Sequence, residues 1–486
     1  MSASTEQQSA KASNDASWQT GEDRGYQQGL SARQIQMIAI GGAIGTGLFM
    51  GAGGALRTAG PSIIITYLLC GLAAYAILRA LGELVVYRPS SGSFVSYARE
   101  FFGEKAAYAS GWLYWMNWVM TAVVDVTAVA LYLQFFGKYS PVFTAIPQWV
   151  YTLVALVVVT ALNLVSVKLF GEMEFWFSVI KVATLVGFLC IGIYMVIFGT
   201  PVEGQQVGFS LITDNGGIFP TGVLPGLIAI QGVIFAYAAI ELIGTTAGET
   251  KDARKLIPRA VNTVLLRIGL FYIGSLVLLC LLLPFTAYKA DESPFVTFFS
   301  STGIEGTDVI MNLVVLTAAM SSLNAGMYST GRILRSMAMA GSAPAFASKM
   351  TNQGVPYGGI LITSGVSLLG VVLNAIVPEQ AFAIVLNLAS VGIVGSWAMI
   401  VMCQMKLVWL SKRGLATRPD YQLPGGMATG WVVLAFLFGV LVLMAFDNPI
   451  GTWTIASLVL LIPVMIWGWY ACRGRVAHLA ALREHR

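Results

Sequence analysis

The sequence predicts an all-α membrane protein of twelve transmembrane helices, and three observations carry that expectation. The 486 residues are 57% apolar and only 10% charged, with a mean hydropathy of +0.75, far from the balance of a soluble globular domain. Apolar runs near the roughly 20 residues that a crossing needs fall at about 35–55, 61–82, 106–136, 149–168, 174–198, 221–245, 261–284, 308–336, 357–377, 380–410, 429–446 and 450–472. Basic residues alternate with those runs. The even-numbered connections hold clusters such as Arg79, Arg88, Arg99 and Lys105, or Lys251, Arg254, Lys255 and Arg259, whereas the odd ones hold only Arg57, Lys138 and Lys289. The positive-inside rule then sets the even connections and both termini in the cytoplasm. A missed helix would scramble this alternation.

In chain order, residues 1–30 are polar and rich in Ser, Gln and Ala. They predict a disordered cytoplasmic tail rather than a signal peptide. The first apolar run then reads I-Q-M-I-A-I-G-G-A-I-G-T-G-L-F-M from Ile35 to Met50. Gly41, Gly42, Gly45 and Gly47 fall where a spanning helix should be most regular. Each glycine costs about 1 kcal/mol relative to alanine, and backbone left unpaired in hydrocarbon costs more. The cluster therefore reads as a helix opened to present bare amides at mid-membrane depth. The run at 221–245 repeats the pattern, with Gly222, Pro225, Gly226 and Gly232 ahead of F-A-Y-A-A-I-E-L-I-G. The two interrupted runs are five helices apart and cross in opposite directions. Paired broken helices in inverted halves point to a transporter binding site, with close packing through small residues as the plainer alternative. The transporter domain would span 31–475, with halves 35–198 and 221–410, two further helices at 429–472, and a cytoplasmic tail at 476–486.

Three ionisable residues lie deep in the runs: Asp125 in the third, Lys181 in the fifth and Glu241 in the sixth. A charge at the bilayer centre costs about 2.5–3.5 kcal/mol on insertion scales, so each is a functional candidate, with a structural ion pair as the alternative. Lys181 has no charged residue within six positions on either side. Burial disfavours the charged form of a lysine, which makes it a candidate proton carrier. Glu241 follows the second break and could gate, bind an amino group or fix the unwound segment. Asp125 could face the same cavity. The eighth run carries Ser321, Ser322, Asn324, Tyr328, Ser329 and Thr330, although hydroxyls in a membrane helix often only bond back to their own carbonyls.

Other chemistries find little support. The five cysteines (Cys70, Cys190, Cys280, Cys403, Cys472) lie without close pairing in or beside apolar runs and read as small core residues. Two histidines near the C-terminus, His478 and His485, speak against a metal site. The net charge of +5 is dispersed along short loops and is no nucleic-acid signal. G-T-G-L-F-M-G from Gly45 has neither the spacing nor the strand context of a dinucleotide fingerprint. No cofactor and no enzyme are expected.

Several segments carry a resemblance. G-G-A-I-G-T-G-L-F, L-R-A-L-G-E-L, R-P-S-S-G-S-F-V-S-Y-A-R-E-F from Arg88, N-L-V-S-V-K-L-F-G-E-M-E-F-W-F from Asn163 and F-A-Y-A-A-I-E-L-I-G-T-T-A-G-E-T from Phe235 resemble the bacterial amino acid permeases of the amino acid–polyamine–organocation superfamily. The resemblance runs from about 30 to 475. It implies a LeuT-like 5+5 inverted repeat with broken helices 1 and 6. It also implies proton-coupled import of an L-amino acid by alternating access across the bacterial inner membrane, with amino acid, proton and lipid bilayer as partners. L-S-A-R-Q-I-Q-M-I-A-I-G-G-A-I-G-T-G-L-F and V-D-V-T-A-V-A-L-Y look like the asparagine-transporting members. Another neutral amino acid, an exchanger, or a membrane nutrient sensor on the same fold are the alternatives.

The resemblance further implies roles. The substrate carboxylate would sit on the amides of Ile44, Gly45, Thr46 and Gly47, and the amino group on carbonyls around Phe235, Ala236 and Ala238, with Phe235 as an aromatic lid. A helix N-terminus suits a carboxylate. Lys181 would fill the space of a sodium ion in sodium-coupled relatives, with Ser321 and Ser322 on its far side. Ala239 departs from the pattern, since many members carry glycine there.

Overall fold

The computed structural model describes residues 33, 34, 37, 44–90, 92–245, 252–290 and 292–484. The expected tail at 1–30, Gly41, Gly42, Lys251, residues 246–250 of the quoted motif and the last two residues lie outside them. Among the described residues there is no strand, and ten helices are long and apolar enough to cross a membrane.

The first of the ten is a stretch from Gly47 to Tyr87 that is not one straight rod. It opens with a π-helical turn at Gly47–Gly51, continues as α1 (Ala52–Ala59) and resumes as α2 (Ile63–Tyr87). Between them Gly60 has φ +61, and a Cβ there would meet Pro220 at 2.5 Å, so only glycine fits this turn. Pro61 then opens a 3-10 turn. The described part of the run expected at 35–55 and the run expected at 61–82 fall on the two sides of this corner.

The amphipathic α3 (Ser93–Phe102) leads into α4 (Glu104–Gln134), α5 (Gln148–Val165) and α6 (Val167–Phe198). Ser166 caps α6, its hydroxyl accepting from the Leu169 N–H at 3.1 Å, as an N-cap serine should. The sixth expected run divides. Helix α7 (Val223–Ala236) is apolar but too short to count among the ten, and helix resumes at Leu242–Thr245, the last residues described before 252. Next come α8 (Ala253–Leu282), interrupted by a π-helical turn at Ile268–Ile273, and the short α9 (Pro294–Ser301). Helices α10 (Thr307–Met339), α11 (Tyr357–Ile376), α12 (Pro378–Lys412), α13 (Met427–Phe446) and α14 (Ile450–Glu484) complete the order. Proline opens both α9 and α12, where its missing N–H is not needed. The segment expected as a tail from 476 is helical as far as Glu484.

Burial separates a centre from a periphery. Two thirds of the apolar window of α4 and of α12 is buried (67% each), against 28% for α13 and 11% for α14. The central pair packs together and against α10 and α2, and polar side chains bind helices in this core. Asn374 on α11 donates to Thr127 on α4 at 2.8 Å and accepts from Gln148 on α5 at 2.7 Å. Cys70, Cys280, Cys403 and Cys472 are buried, but Cys190 is exposed on α6 and is no core residue.

Candidate functional site

The two interruptions meet backbone to backbone. Ile44 and Gly45 bend into the π-helical turn, and the Gly45 carbonyl accepts from Leu48 and Phe49 at 3.2 and 3.3 Å. The helix therefore starts here, and the first N–H groups of a helix have no partner within it. A Cβ on Gly47 would come 2.7 Å from the backbone nitrogen of Ala236 and 3.0 Å from the carbonyl carbon of Phe235. Glycine at 47 is what lets the end of α7 lie against the start of the first helix.

On the α7 side the backbone leaves the helix at Tyr237 (φ −96, ψ 3), and Ala239 has φ +70. Tight turns close the break: Tyr237 and Ala238 donate to Ile234 and Phe235, both at 3.0 Å. The Ala236 carbonyl already accepts from the Tyr272 hydroxyl at 2.9 Å, which leaves it one lone pair for a ligand. Tyr272 stacks on Tyr237, with centroids 4.8 Å apart, and Tyr237 donates to the Tyr67 carbonyl at 2.7 Å. Phe235 is buried, at 4% exposure.

Two buried polar clusters flank this junction. In the first, Thr46 donates to Asp125 Oδ1 at 2.6 Å, tying α4 to the helix start, and Asp125 Oδ2 has no hydrogen-bond partner. Ser322 on α10 stands 3.7 Å from where a Gly45 Cβ would be. In the second, Lys181 Nζ donates to Ser321 at 2.9 Å, and Ser321 donates to Glu174 Oε1 at 2.6 Å. Glu174 and Lys181 are 0% and 1% exposed at the side chain and 4.0 Å apart. Asn324 donates to Glu174 Oε2 at 3.5 Å and accepts from Asn163 at 2.8 Å. Adjacent serines on α10 thus serve adjacent clusters.

Glu241 stands apart from both. Its Oε2 accepts from the Trp397 ring N–H of α12 at 3.1 Å, and its Oε1 is buried with no hydrogen-bond partner. Tyr114 is its electrostatic neighbour and bonds Ser329 at 2.6 Å. Of the polar residues flagged on α10, Thr330 does bond back to its own helix, at Gly326, whereas Ser321 and Ser329 reach across to other helices.

A family model described as amino acid permease matches residues 34–479. The chain belongs to the amino acid permease family. An L-asparagine permease of Salmonella typhimurium is 58% identical over 462 residues, covering 95% of this chain and 92% of the relative. One from Escherichia coli is 56% identical over 462 residues, with the same coverage. L-asparagine permease 1 of Mycobacterium tuberculosis is 56% identical over 464 residues, covering 96% and 94%. As a member of this family the chain is a multi-pass membrane transporter rather than an enzyme.

The permease holds more buried charge than its three deep ionisable residues suggested. Glu174 pairs with Lys181 from seven positions away, which on a helix returns to the same face. The relation shows only once the sequence is wound onto a helix. Glu83 on α2 is also fully buried, held by Arg418 at 2.5 Å and 3.1 Å, by Gln404 at 3.0 Å and by the Leu423 N–H at 2.7 Å. It clasps the connection after α12 to α2. Cavities of about 700 and 790 Å³ share Leu131 and Gln134 in their walls. The larger reaches Met50, one turn beyond Gly47.

Proposed function

We propose that this permease imports L-asparagine together with a proton, by alternating access, across the inner membrane of a bacterium. The observation that carries the reading is the contact of the two broken segments at Gly47 and Ala236, with the Lys181 cluster beside it. The names of relatives at 56–58% identity favour asparagine as the substrate. The amides of Ile44, Gly45, Thr46 and Gly47 hold its carboxylate, since a helix start combines unpaired N–H groups with the positive dipole end. Carbonyls of Phe235, Ala236 and Ala238 hold its ammonium group, Phe235 closes over it, and Asp125 and Glu241 fix the segments around it. Reading the zwitterion by its ends leaves the side chain to a separate pocket.

Lys181 carries the proton in this scheme, with Ser321 and Ser322 on the α10 side. The architecture is the LeuT-like twelve-helix arrangement, in which the Gly60 corner separates the first two crossings and broken α7 is the sixth. The repeats are then 35–198 and 221–410, with 429–472 outside them and both termini in the cytoplasm. Uptake into proteoliposomes under an imposed pH gradient, challenged with the full panel of protein amino acids, tests the reading. Asparagine should accumulate on the side away from acid, and Lys181→Ala should abolish that accumulation. Undiminished accumulation by Lys181→Ala sinks the role of Lys181. Accumulation that needs a second amino acid on the opposite side, and ignores the gradient, makes the protein an exchanger.

A further inference from the structure

Substrate binding does not account for the buried Glu174. Its side chain has no exposure, and its named partners are polar side chains from other turns: Ser321 and Asn324 on α10, and Lys181 on its own helix. The Ser321 hydroxyl lies between the charges. It accepts from Lys181 Nζ at 2.9 Å and donates to Glu174 Oε1 at 2.6 Å, while Nζ and Oε1 remain 4.0 Å apart. A structural ion pair out of water gains most from direct contact with full hydrogen bonding. Ammonium, hydroxyl and carboxylate strung in that order are instead a continuous donor–acceptor chain. The charges acting on Lys181 are Glu174 and, from α4, Asp125, and the charge acting on Glu174 is Lys181. Among the described residues, helices α5 and α10 bring the neutral Asn163, Ser321 and Asn324 to Glu174 and its partners.

We propose that Glu174 takes the coupling proton from Lys181, with Ser321 passing it on. The inference rests on the reading of Lys181 as the proton carrier. The Lys181 ammonium gives a proton to Ser321 Oγ as that hydroxyl gives its own to Glu174 Oε1. The ammonium becomes an amine, the carboxylate becomes a carboxylic acid and the hydroxyl is regenerated. The pair has zero net charge before and after, so the step leaves no uncompensated charge in the membrane interior, which would be costly. The Glu174 backbone lies about 10 Å nearer the start of α6 than that of Lys181, the end that the proposed orientation sets in the cytoplasm. A transfer across the 4.0 Å between Nζ and Oε1 thus leaves the proton on the residue rooted nearer that side.

The test uses the full-length permease in proteoliposomes with two assays. One is asparagine accumulation under a pH gradient. The other is exchange, with asparagine on both sides and no gradient. Exchange can run with the proton kept on the carrier, whereas net accumulation requires its release. Glu174→Gln and Ser321→Ala should each lose about a hundredfold or more in the rate of accumulation, the scale of a removed proton-transfer group, and lose far less in exchange. Glu174→Asp, which keeps the carboxylate but shortens its reach, should restore part of the loss. Wild-type accumulation in both variants overturns the proposal. So does a parallel fall of accumulation and exchange, which is what a purely structural pair would give. If Glu174→Gln does not fold, Ser321→Ala decides by the same ratio, because it keeps both charges. A wild-type protein that ignores the pH gradient instead overturns the proton coupling beneath the proposal.

Discussion

Gly47 has no room for a side chain, because the backbone of Phe235 and Ala236 occupies the place of its Cβ. Gly45, two residues earlier, would meet Ser322 only at 3.7 Å, an ordinary contact. Gly47→Ala should therefore push the broken segments apart and destabilise the protein by about 1–3 kcal/mol, the usual range for overpacking. Gly45→Ala should leave stability nearly unchanged. Thermal unfolding in detergent compares the two, and equal midpoints would remove the steric argument. Gly47 was legible in the sequence because a glycine cluster is conspicuous inside an apolar run. Glu174 was not, because its partner sits seven positions away and the relation shows only when the helix is wound: seven residues turn back to within about 20° of the start. The Asp125–Thr46 bond was hidden for another reason, since it joins residues 79 positions apart and only packing brings them together.

At the scale of the element, the break after α7 is made by a residue that does not favour it. Ala239 adopts φ +70, a left-handed conformation that costs an L-residue roughly 1–2 kcal/mol. The sequence marked Ala239 as a departure from glycine without telling what conformation it must take. Glycine would relieve that strain but would gain freedom in the unfolded chain. Ala239→Gly should thus stabilise by up to about 1 kcal/mol, and Ala239→Val, which adds a β-branch at positive φ, should destabilise. A lower melting temperature for Ala239→Gly would mean that neighbouring contacts, not the backbone, set this turn. Element lengths were readable because apolar runs and helices share a cause, the need to satisfy backbone groups inside lipid. The inner limits of α7 were less so: the run is apolar from 221 to 245, and nothing in hydropathy distinguishes the helical Ala236 from the unwound Ala238.

For the whole molecule the decisive question is whether the interrupted sixth run crosses the bilayer. Helix α7 has 14 residues between Val223 and Ala236, about 21 Å of helix, short of the roughly 30 Å hydrocarbon core. The residues that follow, among them the helical turn at Leu242–Thr245, must make up the difference. Two exposed positions settle this. Val142, before α5, is 61% exposed, and Leu415, after α12, is 69% exposed. Between them lie α5, α6, α8, α10, α11 and α12, all long enough to cross, and the interrupted run. An even number of long helices returns the chain to the same side, so the two positions fall on opposite sides only if the interrupted run crosses as well. With Cys190, the one exposed native cysteine, changed to serine, Val142→Cys should react with a membrane-impermeant maleimide on intact cells. Leu415→Cys should react only after permeabilisation. Labelling of both from outside would make the α7 run a re-entrant segment, and the alternation of basic loops on which the inward orientation rests would then fail from the sixth connection onward.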